Sequence, residues 1–303
     1  MADHQSGPDR PRDEDLVFVV GSPRSGTTWL QLLLASHPDA ATRGETHLFD
    51  HFLGPALQNW DNLDSAPRDM GPSLVMEREE FVEHHRAFAR EVYARTAGDD
   101  ARVVVDKTPG HALWVDEILE LFPGARILHL VRDPRDVAAS MMAASSGWGT
   151  SWAPGTAFEA AWMWSEHVRG ATAGVERARR GRVLRYEDLY GAPVPELADL
   201  YGWLGLDADP ELVERAVEQT RIDRLRDGDA EAPWDLDEEP EGFFRKGGSN
   251  WESDLARGQV AVVEYVCQDL MEAFDYRPGR RRKIPPLRFW GPWLRDQVDA
   301  RLY

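Results

Sequence analysis

Cysteine is almost missing from this sequence. Cys267 stands alone among 303 residues, so no disulfide can form within the chain. It lies in an apolar-periodic run, Val260 to Leu270, with no metal or redox motif beside it, which predicts a buried structural thiol. No apolar run approaches the roughly 20 residues that a membrane-spanning helix needs. Residues 1–15 are polar and charged and lack the apolar centre of a secretory leader. Positive charge is scarce as well: 35 Lys and Arg face 53 Asp and Glu, a formal net charge of −18. A surface of that sign repels nucleic acid and anionic membranes, whereas a small anionic ligand responds to local charge. Together these absences predict a cytoplasmic protein with no integral membrane segment and no nucleic-acid partner.

What is present is enough apolar residue, 42% of the chain, to bury one large core. Leu16 to Val20 is a continuous apolar run rich in β-branched residues and ends at Gly21, as a buried parallel strand does. A helix over Thr27 to Ser36 follows, stopped by His37-Pro38. The stretch from about Gly44 to Gly71 reads as loop. Glu77 to Thr96 reads as a helix with Phe81, His84 or His85, Phe88 and Val92 at helical spacing. Strands are predicted at Arg102–Val105, Arg126–Val131 and Arg182–Tyr186, and helices at 113–122, 134–144, 158–180, 193–204 and 209–220. For the helix at 134–144, Asp133-Pro134 supplies an N-cap followed by proline at the first helical residue.

Strands alternating with helices imply an α/β fold: a P-loop-type, mostly parallel β-sheet flanked by helices on both faces, in a single domain over residues 16–276. Residues 1–15 read as a disordered lead-in. The acidic stretch 227–242 reads as a mobile loop, and the basic, Trp-rich segment 277–303 as a tail that packs on its own domain by default, with a neighbouring subunit or a lipid surface as the alternative partners.

Gly21-Ser-Pro-Arg-Ser-Gly26-Thr27-Thr28 joins the first strand to the first helix. There a loop can aim backbone N–H groups and a helix N-terminus at an anion. The spacing G-x-x-x-x-G is that of a nucleoside-triphosphate loop, but the lysine such a loop carries next is here Thr27. That loss counts against an ATP enzyme, and Arg24 is available to supply the charge from inside the loop. Further on, Arg132 ends the third of the predicted strands and Ser140 sits two turns into the following helix, a pair able to clamp a phosphate from two sides.

The heptapeptide PRSGTTW, residues 23–29, resembles the 5'-phosphosulfate loop of sulfotransferases that use 3'-phosphoadenosine-5'-phosphosulfate (PAPS), in particular the tyrosylprotein and bacterial branches, which carry arginine at the position of Arg24. The resemblance implies that Arg24, Ser25, Gly26, Thr27 and Thr28 hold the 5'-phosphosulfate and that Trp29 lies against the adenine. Leu130 to Asp136 (LVRDPRD) resembles the family's 3'-phosphate motif, which implies that Arg132 and Ser140 bind that phosphate while Arg135 and Asp136 order the loop. Val183 to Leu189 (VLRYEDL) resembles a strand end whose tyrosine, here Tyr186, lies near the nucleotide. Phe244 to Trp251 resembles the element that closes over the 3'-phosphate and adenosine with Arg245, Lys246 and Gly247; it departs from the family in having Ser249-Asn250 before the tryptophan.

Sulfuryl transfer needs a base for the acceptor hydroxyl and positive charge at the leaving oxygen. Glu45 lies at the distance from PRSGTT at which the tyrosylprotein branch carries its catalytic glutamate, and Lys107 at the end of a strand where the family places a lysine. The resemblance therefore implies Glu45 as base and Lys107, with Arg24, on the leaving oxygen. His111 and His47 are rival bases; His111 lies four residues after Lys107 rather than two, and an exposed or helix-starting position is expected for it. No His, Cys and Asp spacing is that of a metal site; the resemblance implies PAPS as cofactor, with adenosine 3',5'-bisphosphate (PAP) as its product, and no metal.

Two other readings compete. A P-loop kinase or NTPase would use Asp106, at the end of RVVVD, for Mg²⁺; a nucleotide-binding regulatory module would lack catalysis. The acceptor class and the oligomeric state are not legible, although Trp148, Trp152, Trp162, Trp164 and Trp234 would suit an apolar, aromatic or sugar-bearing acceptor.

Overall fold

A computed structural model describes residues 11–64, 71–98, 101–227, 243–244, 247–248 and 250–278. Most of the lead-in, the acidic stretch 228–242, Arg245, Lys246, Trp234 and the tail beyond residue 278 lie outside them.

In chain order the main elements are β1 (Leu16–Val20), α1 (Thr27–Ala35), β2 (Ala40–Thr42), α2 (Gly54–Asp64), α3 (Arg78–Ala97), β3 (Val103–Lys107), α4 (Val115–Leu121), β4 (Arg126–Val131), α5 (Pro134–Ser145), α6 (Ala157–Arg177) and β5 (Arg180–Arg185). There follow α7 (Tyr186–Gly191), α8 (Pro193–Leu204), α9 (Pro210–Gln219), α10 (Ile222–Asp227), α11 (Trp251–Asp254), α12 (Arg257–Val266) and α13 (Gln268–Ala273). The five strands form one parallel sheet in the order β2-β3-β1-β4-β5.

The unbroken apolar run of β1 is explained by cover on both faces. Val17 and Val19 pack with Leu30, Leu33, Leu197, Leu200 and Val213 from α1, α8 and α9. Leu16, Phe18 and Val20 point the other way, onto Phe49, Tyr93, Ile118 and Phe122. A third cluster joins Val131 to α5, α6, α12 and α13 around Trp164. Cys267 is buried there, and burial pushes its thiol up to about 12, as fits a structural residue.

Three sequence expectations need correction. The stretch 44–71 is not all loop: a π-helical turn at Leu48–Leu53 leads into α2, whose Pro55 falls at the second helical residue, where its missing N–H costs nothing. A fifth strand, β2, escaped notice because three residues, Ala-Ala-Thr, carry no strand signal. In α3 the buried stripe is Val82, Ala89 and Tyr93, while Phe88 is 54% exposed. Tyr93 takes the inner face because its ring meets Phe18 edge-on at 5.8 Å and its hydroxyl donates to Asp106 at 2.8 Å.

Parallel strands bring every carboxyl end to the same edge of the sheet, where α/β proteins bind ligands. The loop at 21–26 follows β1, Lys107 closes β3, Arg132 follows β4 and Tyr186 follows β5.

Candidate active site

The loop after β1 is shaped by two backbone requirements. Gly26 has φ +94°, and a Cβ there would lie 2.6 Å from the ring of Tyr186, so only glycine fits. Arg24 also holds a left-handed backbone, φ +69°, which costs on the order of 1 kcal/mol in a non-glycine residue and is typical of ligand-gripping loops. Gly26 caps α1 without a side-chain hydrogen bond, leaving the first turn, Thr27 and Thr28, to face an anion.

Arg24 reaches across to α5. Its Nε donates to Ser140 Oγ at 3.1 Å, and its guanidinium sits 4.5 Å from the Phe243 ring centre and 5.1 Å from that of Trp148. Arg132 lies 4.1 Å above the Tyr186 ring, donates to the Gly248 carbonyl at 2.9 Å and reaches the Arg24 carbonyl at 3.4 Å. Trp164 Nε1 holds the Arg132 carbonyl at 3.0 Å. Trp29 is buried, donates from Nε1 to the Thr220 carbonyl at 2.9 Å, and meets Tyr186 edge-on at 5.8 Å. Arg24, Gly26, Thr27, Thr28, Trp29, Arg132, Ser140 and Tyr186 all line one cavity of about 490 Å³. Among the described residues, the buried Ser25 Oγ and Arg132 Nε have no hydrogen-bond partner. Two unsatisfied donors flanking a cavity with a helix N-terminus fit a polyanionic ligand.

Neighbouring residues fix these groups. Asp133 caps α5 by accepting from Arg135 N at 2.9 Å, and Glu187 accepts from Asp133 N at 2.9 Å. Burial raises the Glu187 pKa, and its other oxygen accepts from the Tyr276 hydroxyl at 2.8 Å. Asp136 Oδ1 accepts from the backbone of Asn250 at 2.8 Å and of Trp251 at 3.0 Å, tying the last strongly sequence-marked segment to the cavity. Gly247 packs against Tyr190 and is not part of the cavity lining.

Glu45 and Lys107 form a separate cluster. Lys107 is 4% exposed and its Nζ lies 2.5 Å from Glu45 Oε1; Glu45 is 36% exposed on the side chain. They do not line the cavity, but β3 pairs Lys107 with Val19, two residues before the loop begins. Glu45 Oε2 faces His47 Nε2 at 3.5 Å, and His47 Nδ1 lies 2.9 Å from Asp50 Oδ2. The structure thus gathers His47, Asp50 and His51, with ligand atoms within 4.8 Å of one another, a grouping that spacing alone did not suggest.

Asp106 anchors this corner. It accepts from Thr46 Oγ1 at 2.7 Å, Tyr93 at 2.8 Å and Thr108 Oγ1 at 3.0 Å. Three hydroxyls donating to its two carboxylate oxygens make Asp106 the structural anchor of this corner. His111 corrects another expectation. It is wholly buried in a 3-10 turn, its Nε2 accepts from Phe49 N at 3.1 Å, and burial lowers its pKa. Its Nε2 is thus engaged by a backbone N–H, while the buried Nδ1 has no hydrogen-bond partner among the described residues.

The model of the sulfotransferase family matches residues 16–210, more than half of the chain. The chain belongs to the sulfotransferase family. The nodulation protein NoeE of Sinorhizobium fredii (strain NBRC 101917 / NGR234) is 31% identical over 240 residues, 69% of this chain and 54% of NoeE. The putative protein-tyrosine sulfotransferase of Caenorhabditis briggsae is 33% identical over 132 residues, 43% of each chain. This chain thus spans about half the length of these curated relatives. Among solved structures, the sulfotransferase domain of the Synechococcus PCC 7002 olefin synthase superposes with a TM-score of 0.55 at 22% identity, covering 86% of this chain and 94% of that one. Mouse sulfotransferase SULT7A1, complexed with PAP, gives 0.55 at 18% identity, covering 86% of each. These likenesses show a shared fold, the P-loop-type α/β sheet.

Within a sulfotransferase fold, Phe243 went unread in the sequence, and the particular contacts of Trp148 and Asp136, both named there, did not follow from it. Trp148 and Phe243 flank the Arg24 guanidinium, and Asp136 fastens Asn250 and Trp251. An aromatic 124 residues from an arginine gives no pairwise signal in one sequence; only the fold brings them together.

Proposed function

We propose that this sulfotransferase moves the sulfuryl group of PAPS to an acceptor hydroxyl, with Glu45 as general base. The observation that carries the reading is that Arg24 and Arg132 line the same cavity, joined through the Arg24 carbonyl. A nucleotide phosphorylated at two positions needs two cationic grips within one molecule's length.

In this reading Arg24, Ser25, Gly26, Thr27 and Thr28 hold the 5'-phosphosulfate, and the unpartnered Ser25 Oγ gains its acceptor there. Arg132 and Ser140 take the 3'-phosphate, with Arg245, Lys246 and Gly247 closing over it and Trp29 and Tyr186 walling the adenosine. PAPS supplies the sulfuryl group and a good phosphate leaving group. Glu45 accepts the proton as the acceptor oxygen bonds to sulfur. Lys107 would supply the positive charge that the leaving phosphate oxygen needs as the S–O bond breaks. Asp106 holds Thr46, and so the base beside it, in position. His47, oriented by Asp50, stands beside Glu45.

The acceptor is a small molecule, lipid, carbohydrate or peptide hydroxyl. Among the described residues no helix is long and apolar enough to cross a membrane. A cytoplasmic setting belongs to this reading. The test is to incubate the protein with PAPS, EDTA and a panel of hydroxyl acceptors and to follow PAP release. Acceptor-dependent release without metal supports the reading; turnover of ATP with Mg²⁺ and none of PAPS defeats it.

A further inference from the structure

A second cavity, of about 280 Å³, opens at the opposite edge of the sheet, where the strands begin. Its wall carries four arginines, Arg12, Arg102, Arg126 and Arg180, against two acids, Glu14 and Asp15. In a chain with a net charge of −18, a local excess of two positive charges is unusual.

The acids make no direct ion pair with Arg126 or Arg180, although the Glu14 and Asp15 charges reach Arg126 through space. Glu14 and Asp15 both bind Arg12, at 3.0 and 3.1 Å, and Arg102 reaches Asp39 at 3.3 Å. Arg126 and Arg180 make no ion pair among the described residues. They are direct partners across β4 and β5, a placement in which like charges repel. Arg126 is only 8% exposed; it donates from one terminal nitrogen to the Glu14 carbonyl, and its buried Nε has no partner among the described residues. Burial, and then the neighbouring Arg180 charge, push its pKa below the ordinary arginine value. A buried cation facing another cation and missing a hydrogen-bond acceptor is costly unless an anion completes it. None of these residues belongs to the nucleotide cavity.

We propose that Arg126, Arg180 and Arg102 form a second anion site that takes a tetrahedral dianion, either free phosphate or the phosphate of a small phosphomonoester. Forked guanidinium groups match tetrahedral oxyanions by paired N–H donors. The remaining wall, Val103, Leu204, Gly205 and Leu206, leaves room for a short organic group beyond the phosphate.

The experiment is calorimetric titration of inorganic phosphate, and separately of glycerol phosphate, into the protein saturated with PAP at constant ionic strength. Saturation blocks the nucleotide cavity. Binding that persists under saturation is expected, and Arg180→Gln should weaken it roughly ten-fold, as loss of one charged hydrogen bond does. Arg180 is exposed on an edge strand, so the variant folds, and Arg102→Gln provides a second reading of the same loss. Arg132→Ala, which weakens the nucleotide cavity, should leave this phosphate binding intact; that outcome holds even if the proposed reaction fails. Tighter binding of glycerol phosphate than of phosphate identifies a phosphomonoester, and the reverse identifies the free ion. No binding beyond the nucleotide cavity, or binding indifferent to both Arg180→Gln and Arg102→Gln, overturns the proposal.

Discussion

Lys107 and Glu45, 62 positions apart in sequence, meet as a buried ammonium and a half-exposed carboxylate 2.5 Å apart. The pair sets a carboxylate and an ammonium side by side at the carboxyl end of β3. In the proposed reaction each acts on a different oxygen, so the two variants should separate. Glu45→Gln is expected to lower kcat by on the order of 100-fold or more while PAP affinity is kept. Lys107→Ala should lower kcat far more than it raises the apparent Kd for PAPS. Steady-state kinetics with PAP calorimetry checks both; near-normal turnover in Glu45→Gln removes it as the base.

Asp136 joins α5 to the segment at 250. It accepts two backbone N–H groups, from Asn250 and Trp251. Asp136→Ala frees both donors and should raise KM for PAPS several-fold, with a smaller change in kcat. Hydrogen exchange at residues 250–254 should quicken in the same variant. Unchanged exchange there would show that Asp136 is not the anchor.

How much of this was legible in the sequence depends on the range of the contact. Loop and helix at 21–35 are written locally: a β-branched run, two glycines at fixed spacing, then a helical stripe. Asp133 capping α5 could likewise be read from one dipeptide, and the structure shows it. What failed was non-local. Tyr93 and Phe88 lie at equally helical positions in α3, and only the Phe18 face of β1 and the Asp106 carboxylate decide which turns inward. His111 looked exposed because histidines at turns usually are; the Phe49 backbone that buries and engages it lies 62 residues away. The three-residue β2 has no pattern of its own and exists because β3 offers it an edge.

Burial of histidine gives the protein a defined acid response. His129, in the middle of β4, is fully buried, and burial lowers its pKa to about 3. The unfolded chain takes up that proton near the ordinary histidine value, about 6.5, whereas the folded protein does not. Stability is therefore complete above about pH 6.5 and declines as pH falls from there toward 3, by roughly 1.4 kcal/mol per pH unit for this one group. His129→Leu should shrink the stability difference between about pH 7.5 and pH 5 by roughly 2 kcal/mol. His37, His111 and His167, also lowered by burial, leave a residual slope of the same sign. Urea melts at both pH values measure it; an unchanged difference in the variant would place the acid sensitivity elsewhere.

The central claim is that Arg132 grips a 3'-phosphate while the Arg24 loop grips the 5' end of the same nucleotide. Calorimetry in EDTA, comparing PAP with adenosine 5'-phosphate, isolates the contribution of the 3'-phosphate. The wild-type protein should prefer PAP by roughly 10- to 100-fold, the worth of one or two charged hydrogen bonds. Arg132→Ala should erase that preference, while Arg24→Ala should weaken both ligands and leave the ratio standing. Equal affinity of the wild-type protein for the two nucleotides, or a preference that survives Arg132→Ala, would contradict the account.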